Sequence, residues 1–154
     1  PVFFKQKRIG LNNKLFNIYK FRTMKKNTRD IPTHLLKNKS FYYTSLGKYL
    51  RKLSIDELPQ LFNICKGQMD FIGPRPALYN QKDLIQLRNE EGVNSLKPGI
   101  TGWAQINGRD SISIKEKVKL DTFYLRNKSL LLDIKILILT IIKVITSDGL
   151  QDQN

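Results

Sequence analysis

Two adjacent acids, Asp56 and Glu57, stand in the string Ser54-Ile55-Asp56-Glu57-Leu58-Pro59. Neighbouring helical positions point about 100° apart, so one carboxylate can attack a substrate while the other holds a metal. Cations accompany them: Arg51 lies five residues upstream, Arg75 sits in Gly73-Pro74-Arg75-Pro76, and Lys20, Arg22 and Arg109 lie further off. Guanidinium forks suit phosphate oxygens. With one cysteine and one histidine, neither a zinc spacing nor a Ser-His-Asp set can be assembled, and no Walker A loop or dinucleotide fingerprint is present. Phosphate chemistry with carboxylates and a hard cation is what remains. The same string also has a purely structural reading. Ser54 with Glu57 three residues later is a capping-box pattern, first-turn acids complement the helix dipole, and Pro59 is tolerated near a helix start. Taken alone, the pattern favours a helix start over catalysis, and each arginine taken alone reads as surface charge.

The elements that must position these groups can be read in outline. Val2–Lys7 and Leu15–Phe21 are aromatic and β-branched runs separated by Gly10-Leu11-Asn12-Asn13, which predicts a β-hairpin. Residues 25–43 are polar, basic and proline-interrupted, a surface loop in which His34 is assigned no role. Ser45–Leu53 predicts a short basic helix. Asp56–Lys66 predicts another, with Leu58, Leu61, Phe62 and Cys65 on one apolar face, Cys65 a packed core thiol and Gly67 the stop. The two prolines of Gly73–Pro76 impose a rigid extended turn. A helix is expected over Ala77–Glu91, a glycine-punctuated loop over Lys97–Arg109, and a solvent-facing helix from Ser113 that includes Asp121 and Tyr124. On the last helix Asp133, Thr140, Lys143 and Ser147 form a narrow polar stripe against a wide apolar face. That face needs cover, either as a core helix or as a helix lying in a membrane surface.

At 154 residues the chain has the size of one domain. A single cysteine excludes an intramolecular disulfide framework, and the composition is that of a folded protein. Leu130–Ile145 is 16 residues interrupted by Asp133, Lys135, Thr140 and Lys143, short of the ~20 apolar residues of a spanning helix. The net charge of +14 is concentrated: residues 1–52 hold 14 of the 27 basic residues and one acid, Asp30. Such a field calls for an anionic partner: nucleic acid, an anionic membrane surface or a phosphorylated substrate. The opening Pro1-Val2-Phe3-Phe4, without a methionine and inside a strand-like pattern, reads as part of a longer protein.

Five blocks, in order, carry a resemblance: Pro1–Gln6, Ile18–Met24, Ser54–Asn63, Gly73–Pro76 and Lys97–Arg109. Together they resemble the bacterial sugar transferases, the monotopic polyprenyl-phosphate phosphoglycosyl transferases. The resemblance covers nearly the whole chain and implies a single catalytic domain over residues 1–154, of α+β class, mainly helical, with an N-terminal hairpin and amphipathic interfacial helices. It implies transfer of a phosphosugar from a UDP-sugar to undecaprenyl phosphate, releasing UMP, at the start of capsule, exopolysaccharide, O-antigen or protein-glycan assembly. It places the nucleophile on Asp56 and a ligand for Mg²⁺ on Glu57. Arg51, Arg75 and Arg109 are the expected phosphate clamps, with Lys20 and Arg22 as weaker candidates. Pro76–Gln81 is similar to members associated with capsule synthesis, which favours an N-acetylated amino sugar donor. The implied location is the cytoplasmic face of the bacterial inner membrane, and the hydrophobic re-entrant anchor of the family is expected to precede Pro1.

Two other classes compete on the residues alone. A basic nucleic-acid-binding module would account for lysines interleaved with aromatics in residues 3–22, although no known reader motif accompanies them. An interaction domain would leave Asp56 and Glu57 as a helix start only.

Overall fold

The computed structural model describes residues 2–26, 42–108 and 112–146. The hairpin forms as expected. Strand β1 (Phe3–Ile9) pairs antiparallel with β2 (Leu15–Phe21) across a tight turn in which Asn12 and Asn13 take positive φ, a conformation that asparagine tolerates. Helix α1 (Gly47–Lys52) follows. It approaches the end of β2 so closely that a Cβ on Gly47 would fall 2.1 Å from the Thr23 carbonyl oxygen, so only glycine fits there. A 3-10 helix over Ile55–Gln60 leads into α2 (Leu61–Cys65), which stops at Gly67 with φ of 69°. Most of the loop expected over residues 25–43, with His34, lies outside the described residues.

The Asp56–Lys66 segment differs from its expected helix in the direction it faces. Leu58, Leu61 and Phe62 are 53%, 41% and 62% exposed and Cys65 is exposed, while Asp56, Glu57, Gln60 and Asn63 are buried. Cys65 is therefore not a core thiol. The segment is inside out because Glu57 and Asn63 have polar partners to meet inside.

The second half is helical around a minimal parallel sheet. Strand β3 (Asp70–Ile72) pairs in parallel with β4 (Gly99–Thr101), inside what the sequence reads as loop, and α4 (Trp103–Ile106) continues from it. Gly102 is packed against the Gly73 carbonyl, where a Cβ would lie 2.1 Å away. Helix α3 (Lys82–Glu90) starts five residues later than the expected Ala77, after an extended stretch tied to β1 by the Ile9 amide donating to Ala77 O at 2.9 Å.

Helix α5 (Ile114–Asn127) opens on a true capping box between Ser113 and Glu116. It is not solvent-facing at Asp121 and Tyr124, each only 2% exposed: Asp121 pairs with Arg88 of α3, and the Tyr124 hydroxyl donates to Asp133. Helix α6 (Leu130–Ile145) turns its polar stripe inward. Asp133 meets Tyr124, and Thr140 Oγ1 lies 2.7 Å from Thr101 Oγ1, while Ile136 packs against Ile106 and Tyr124. Ser147 lies outside the described residues. Leu130, Leu131, Ile134, Leu137, Ile138, Ile141, Ile142 and Ile145 are all exposed, so α6 is not a core helix. Among the described residues no helix is long and apolar enough to cross a membrane. The architecture is α+β, mainly helical.

Candidate active site

Strand alternation delivers the first cation. Phe16 and Ile18 point into the core, and Lys20 occupies the next position on that face, where Nζ meets Glu57 Oε1 at 2.7 Å. The strand is fixed against the acidic segment by Asn63, which is fully buried. Its carboxamide accepts from the Tyr19 amide at 3.1 Å and donates to Asn17 O at 2.7 Å and Gln68 Oε1 at 2.9 Å. One side chain thus satisfies two backbone groups of β2 and one neighbour, setting the distance between Lys20 and Glu57.

Ser54 does not cap. It adopts a left-handed conformation, φ 55° and ψ 17°, whereas a capping residue is extended, and its side chain makes no cap bond. The capping-box expectation fails here. The left-handed residue breaks the chain between α1 and the 3-10 helix on which Asp56 and Glu57 are buried. Glu57, instead of reaching back to Ser54, is gripped from two sides: Arg75 Nη2 lies 3.0 Å from the same Oε1 that Lys20 contacts.

The electrostatics differ sharply between the two acids. Burial by itself would raise Glu57, but Arg75 and Lys20, through charge and hydrogen bonds, hold its carboxyl far below the ordinary carboxylate range. Glu57 is a permanent anion. Among the described residues Asp56 makes no such bonds; burial raises it above the ordinary value, Glu57 adds to this, and Lys20, Arg51 and Arg75 only partly oppose it. Its charge is therefore costly, which makes it the more basic and more nucleophilic of the pair. Burial brings Lys20 down to about 8, with Glu57 opposing the shift and Arg75 reinforcing it.

Of the residues singled out by sequence, Asp56, Glu57, Lys20 and Arg75 come together, and the Arg51 charge acts on Asp56. The Arg51 guanidinium lies over the Tyr43 ring at 5.4 Å. Arg22 lies over the Phe4 ring at 5.6 Å and 3.5 Å from Phe3 O. Arg109 lies outside the described residues. Sequence reasoning gave no role to Asn63, though a lone amide amid Leu61, Phe62 and Ile64 is a signal of a buried polar contact. It also missed Arg88 and Asp121, which lie 33 residues apart with no spacing to connect them.

Whether these residues suit magnesium can be tested on the donor set. Among the described residues no group of three or more acidic, histidine or cysteine side chains converges. The chain offers the carboxylates of Asp56 and Glu57, with both cationic contacts to Glu57 on Oε1. That fits Mg²⁺, which is held by one or two carboxylates and completes its shell with water and substrate phosphates.

Comparison with known proteins identifies the family. The bacterial sugar transferase family matches residues 1–147. The chain is 51% identical to the uncharacterized sugar transferase EpsL of Bacillus subtilis (strain 168), across all of this chain and 75% of that protein. It is 42% identical to the undecaprenyl-phosphate glucose phosphotransferase of Komagataeibacter xylinus, over 96% of this chain and 30% of that protein. It is 38% identical to the UDP-N-acetylgalactosamine-undecaprenyl-phosphate N-acetylgalactosaminephosphotransferase of Aeromonas hydrophila, over 97% of this chain and 36% of that protein. On that match over residues 1–147 the chain belongs to the bacterial sugar transferase family.

Proposed function

We propose that this chain transfers a sugar phosphate from a UDP-sugar to undecaprenyl phosphate, through a phosphosugar carried on Asp56. The observation that carries the reading is the division between the two acids: Glu57 is pinned as an anion by Lys20 and Arg75, and Asp56 beside it has no partner of that kind among the described residues. Asp56 Oδ attacks the sugar-bearing phosphorus, and the bond from that phosphorus to the UMP oxygen breaks. An oxygen of the polyprenyl phosphate then attacks the same phosphorus and regenerates the carboxylate. Attack of an anion on a diphosphate needs positive charge aimed at the phosphate oxygens, which Arg75, Lys20 and Arg51 would contribute. Magnesium, held by Glu57, would neutralise diphosphate charge.

The donor is proposed to be an N-acetylated amino sugar. The relatives named above act on glucose and on N-acetylgalactosamine, so a panel of UDP-sugars is the test. With magnesium and undecaprenyl phosphate in detergent, UMP should form from one or a few of them. Without acceptor it should form only as a burst of at most one UMP per chain, as a ping-pong scheme requires. No UMP from any donor, with the protein folded, overturns the reading.

The pH dependence follows from the two shifted groups. The kcat/KM rises as Asp56 loses its proton, with an inflection above its ordinary value, and falls as Lys20 loses its own near pH 8. A Lys20→Arg chain, whose guanidinium stays charged, should lose the alkaline limb while keeping the acid one. An alkaline limb that persists unchanged would remove Lys20 from the site.

The exposed face of α6 and the outward Leu58, Leu61 and Phe62 are proposed to meet the cytoplasmic leaflet of the inner membrane, the basic N-terminal third lying against anionic headgroups. Each Leu or Ile withdrawn from water contributes ~1.5–3 kcal/mol when fully buried. Since Ile138 and Ile141 are 53% and 59% exposed, about half of that is at stake for each. Replacing both by serine should weaken sedimentation with phosphatidylglycerol vesicles by roughly 30-fold, at about 1 kcal/mol apiece. Unchanged partitioning would place the face elsewhere.

A further inference from the structure

The guanidinium that grips Glu57 stands on a turn with little means of holding itself. Gly73-Pro74-Arg75-Pro76 contains two prolines, which lack N–H groups, so the turn must be fixed largely through its carbonyls. Each of the last three is taken. The Gly99 amide donates to Pro74 O at 3.0 Å, Arg88 Nη1 donates to Arg75 O at 2.8 Å, and Arg8 Nη1 donates to Pro76 O at 2.9 Å. Arg88 is itself immobilised from behind. Its Nε and Nη2 both reach Asp121 Oδ2, at 3.0 and 2.7 Å, with Arg88 8% and Asp121 2% exposed.

We infer that Arg88, locked by Asp121, is a positioning residue that holds the Arg75 backbone and so aims the Arg75 guanidinium at Glu57 and the donor phosphates. A buried ion pair adds little net stability over an apolar pair of the same volume. What it adds is direction: two of the donors of Arg88 are spent on Asp121, which leaves Nη1 pointing at one carbonyl. Arg88 does not touch the acidic pair and acts through Arg75 alone. Displacement of a reacting or clamping group by about 1 Å can cost about 100-fold in rate.

The inference rests on the transferase reading, and its test separates the two. Arg88→Lys keeps the charge opposite Asp121 but loses the fork. It should lower kcat by roughly 10- to 100-fold while KM for the UDP-sugar moves little. Because the effect passes through Arg75, the Arg75→Lys/Arg88→Lys chain should be no slower than Arg75→Lys alone. Effects that multiply, or an unchanged kcat in folded Arg88→Lys, overturn it. Should Arg88→Lys fail to fold, Arg88→Met/Asp121→Leu removes both charges together; it is expected to match the wild type in Tm and still lose kcat. A full kcat in that variant overturns the inference. Should the wild type release no UMP from any donor, the functional reading fails separately. The positioning is then decided by the NMR signal of the Arg75 Nε–H, identified by its absence in Arg75→Lys. A shifted or broadened signal in Arg88→Lys supports the hold on Arg75, and an unmoved one overturns it.

Discussion

Asp56→Asn is expected to lower UMP release by at least about 10³-fold while leaving the protein as stable as before or more so. The two halves of this expectation have different origins. Loss of activity follows from removing the oxygen proposed to attack: asparagine keeps the shape and offers no anionic nucleophile. Retention of stability follows from the sign of the shift at Asp56. Burial raises its pKa, so over the interval between the ordinary carboxylate value and the raised one the folded state binds more protons than the unfolded, and stability falls as pH rises through it. Near pH 7 the ionised carboxylate is thus a cost, which a neutral amide relieves. A helix-cap role makes the opposite pair of predictions, namely a loss of ~1 kcal/mol and unaltered turnover. Thermal unfolding and UMP release on one preparation decide between them. Retention of radiolabelled sugar on the wild-type chain, and not on Asp56→Asn, would identify the carrier.

The hairpin was legible in the sequence because Phe16, Ile18 and Lys20 follow the period of a strand, although the third position of that face gives no sign that it is a buried cation. The acidic pair was legible as chemistry only in company, since its local pattern is also that of a helix start. What was not legible is which face of a helix turns inward. In both the Asp56–Cys65 segment and α6 the majority residue type is apolar, and the usual inference buries it. Here the minority polar residues have partners from distant elements: Asn63 with β2, Asp133 with Tyr124, Thr140 with Thr101. Those partners are 39 or more residues away in two of the three cases, beyond any local period. The parallel pair of β3 and β4 escaped for the same reason, since three-residue strands are too short to alternate visibly. Asp121 and Tyr124 lie on an outwardly charged helix, and nothing nearby in sequence announces that Arg88 and Asp133 wait opposite them.

Glu57→Gln should be the most damaging single change to stability at the site, and its rescue should separate folding from catalysis. The substitution leaves Lys20 and Arg75 facing each other without the anion that both contact, and breaking a buried pair from one side costs about 3–5 kcal/mol. For a chain of this size that is roughly 10 °C in Tm. The contribution of Glu57 is fully present above its ordinary value of 4.5 and is lost only as pH falls through its much lower folded value, so the deficit of the variant should shrink in strong acid. Lys20 carries the opposite sign. Burial depresses it to about 8, so its charged form is itself a cost, and stability should rise with pH between about 8 and 10.5. Lys20→Met placed on Glu57→Gln therefore removes the stranded charge, and Arg75, the most exposed of the three, can turn toward water. The double variant should regain most of the lost Tm. Its UMP release should stay as low as that of Glu57→Gln, because neither the anion proposed to hold magnesium nor the cation proposed to meet the phosphates has been restored. Recovery of turnover along with Tm would mean that the Lys20–Glu57 pair only holds the hairpin to the acidic segment, and would leave Asp56 and the arginines to carry the chemistry without it.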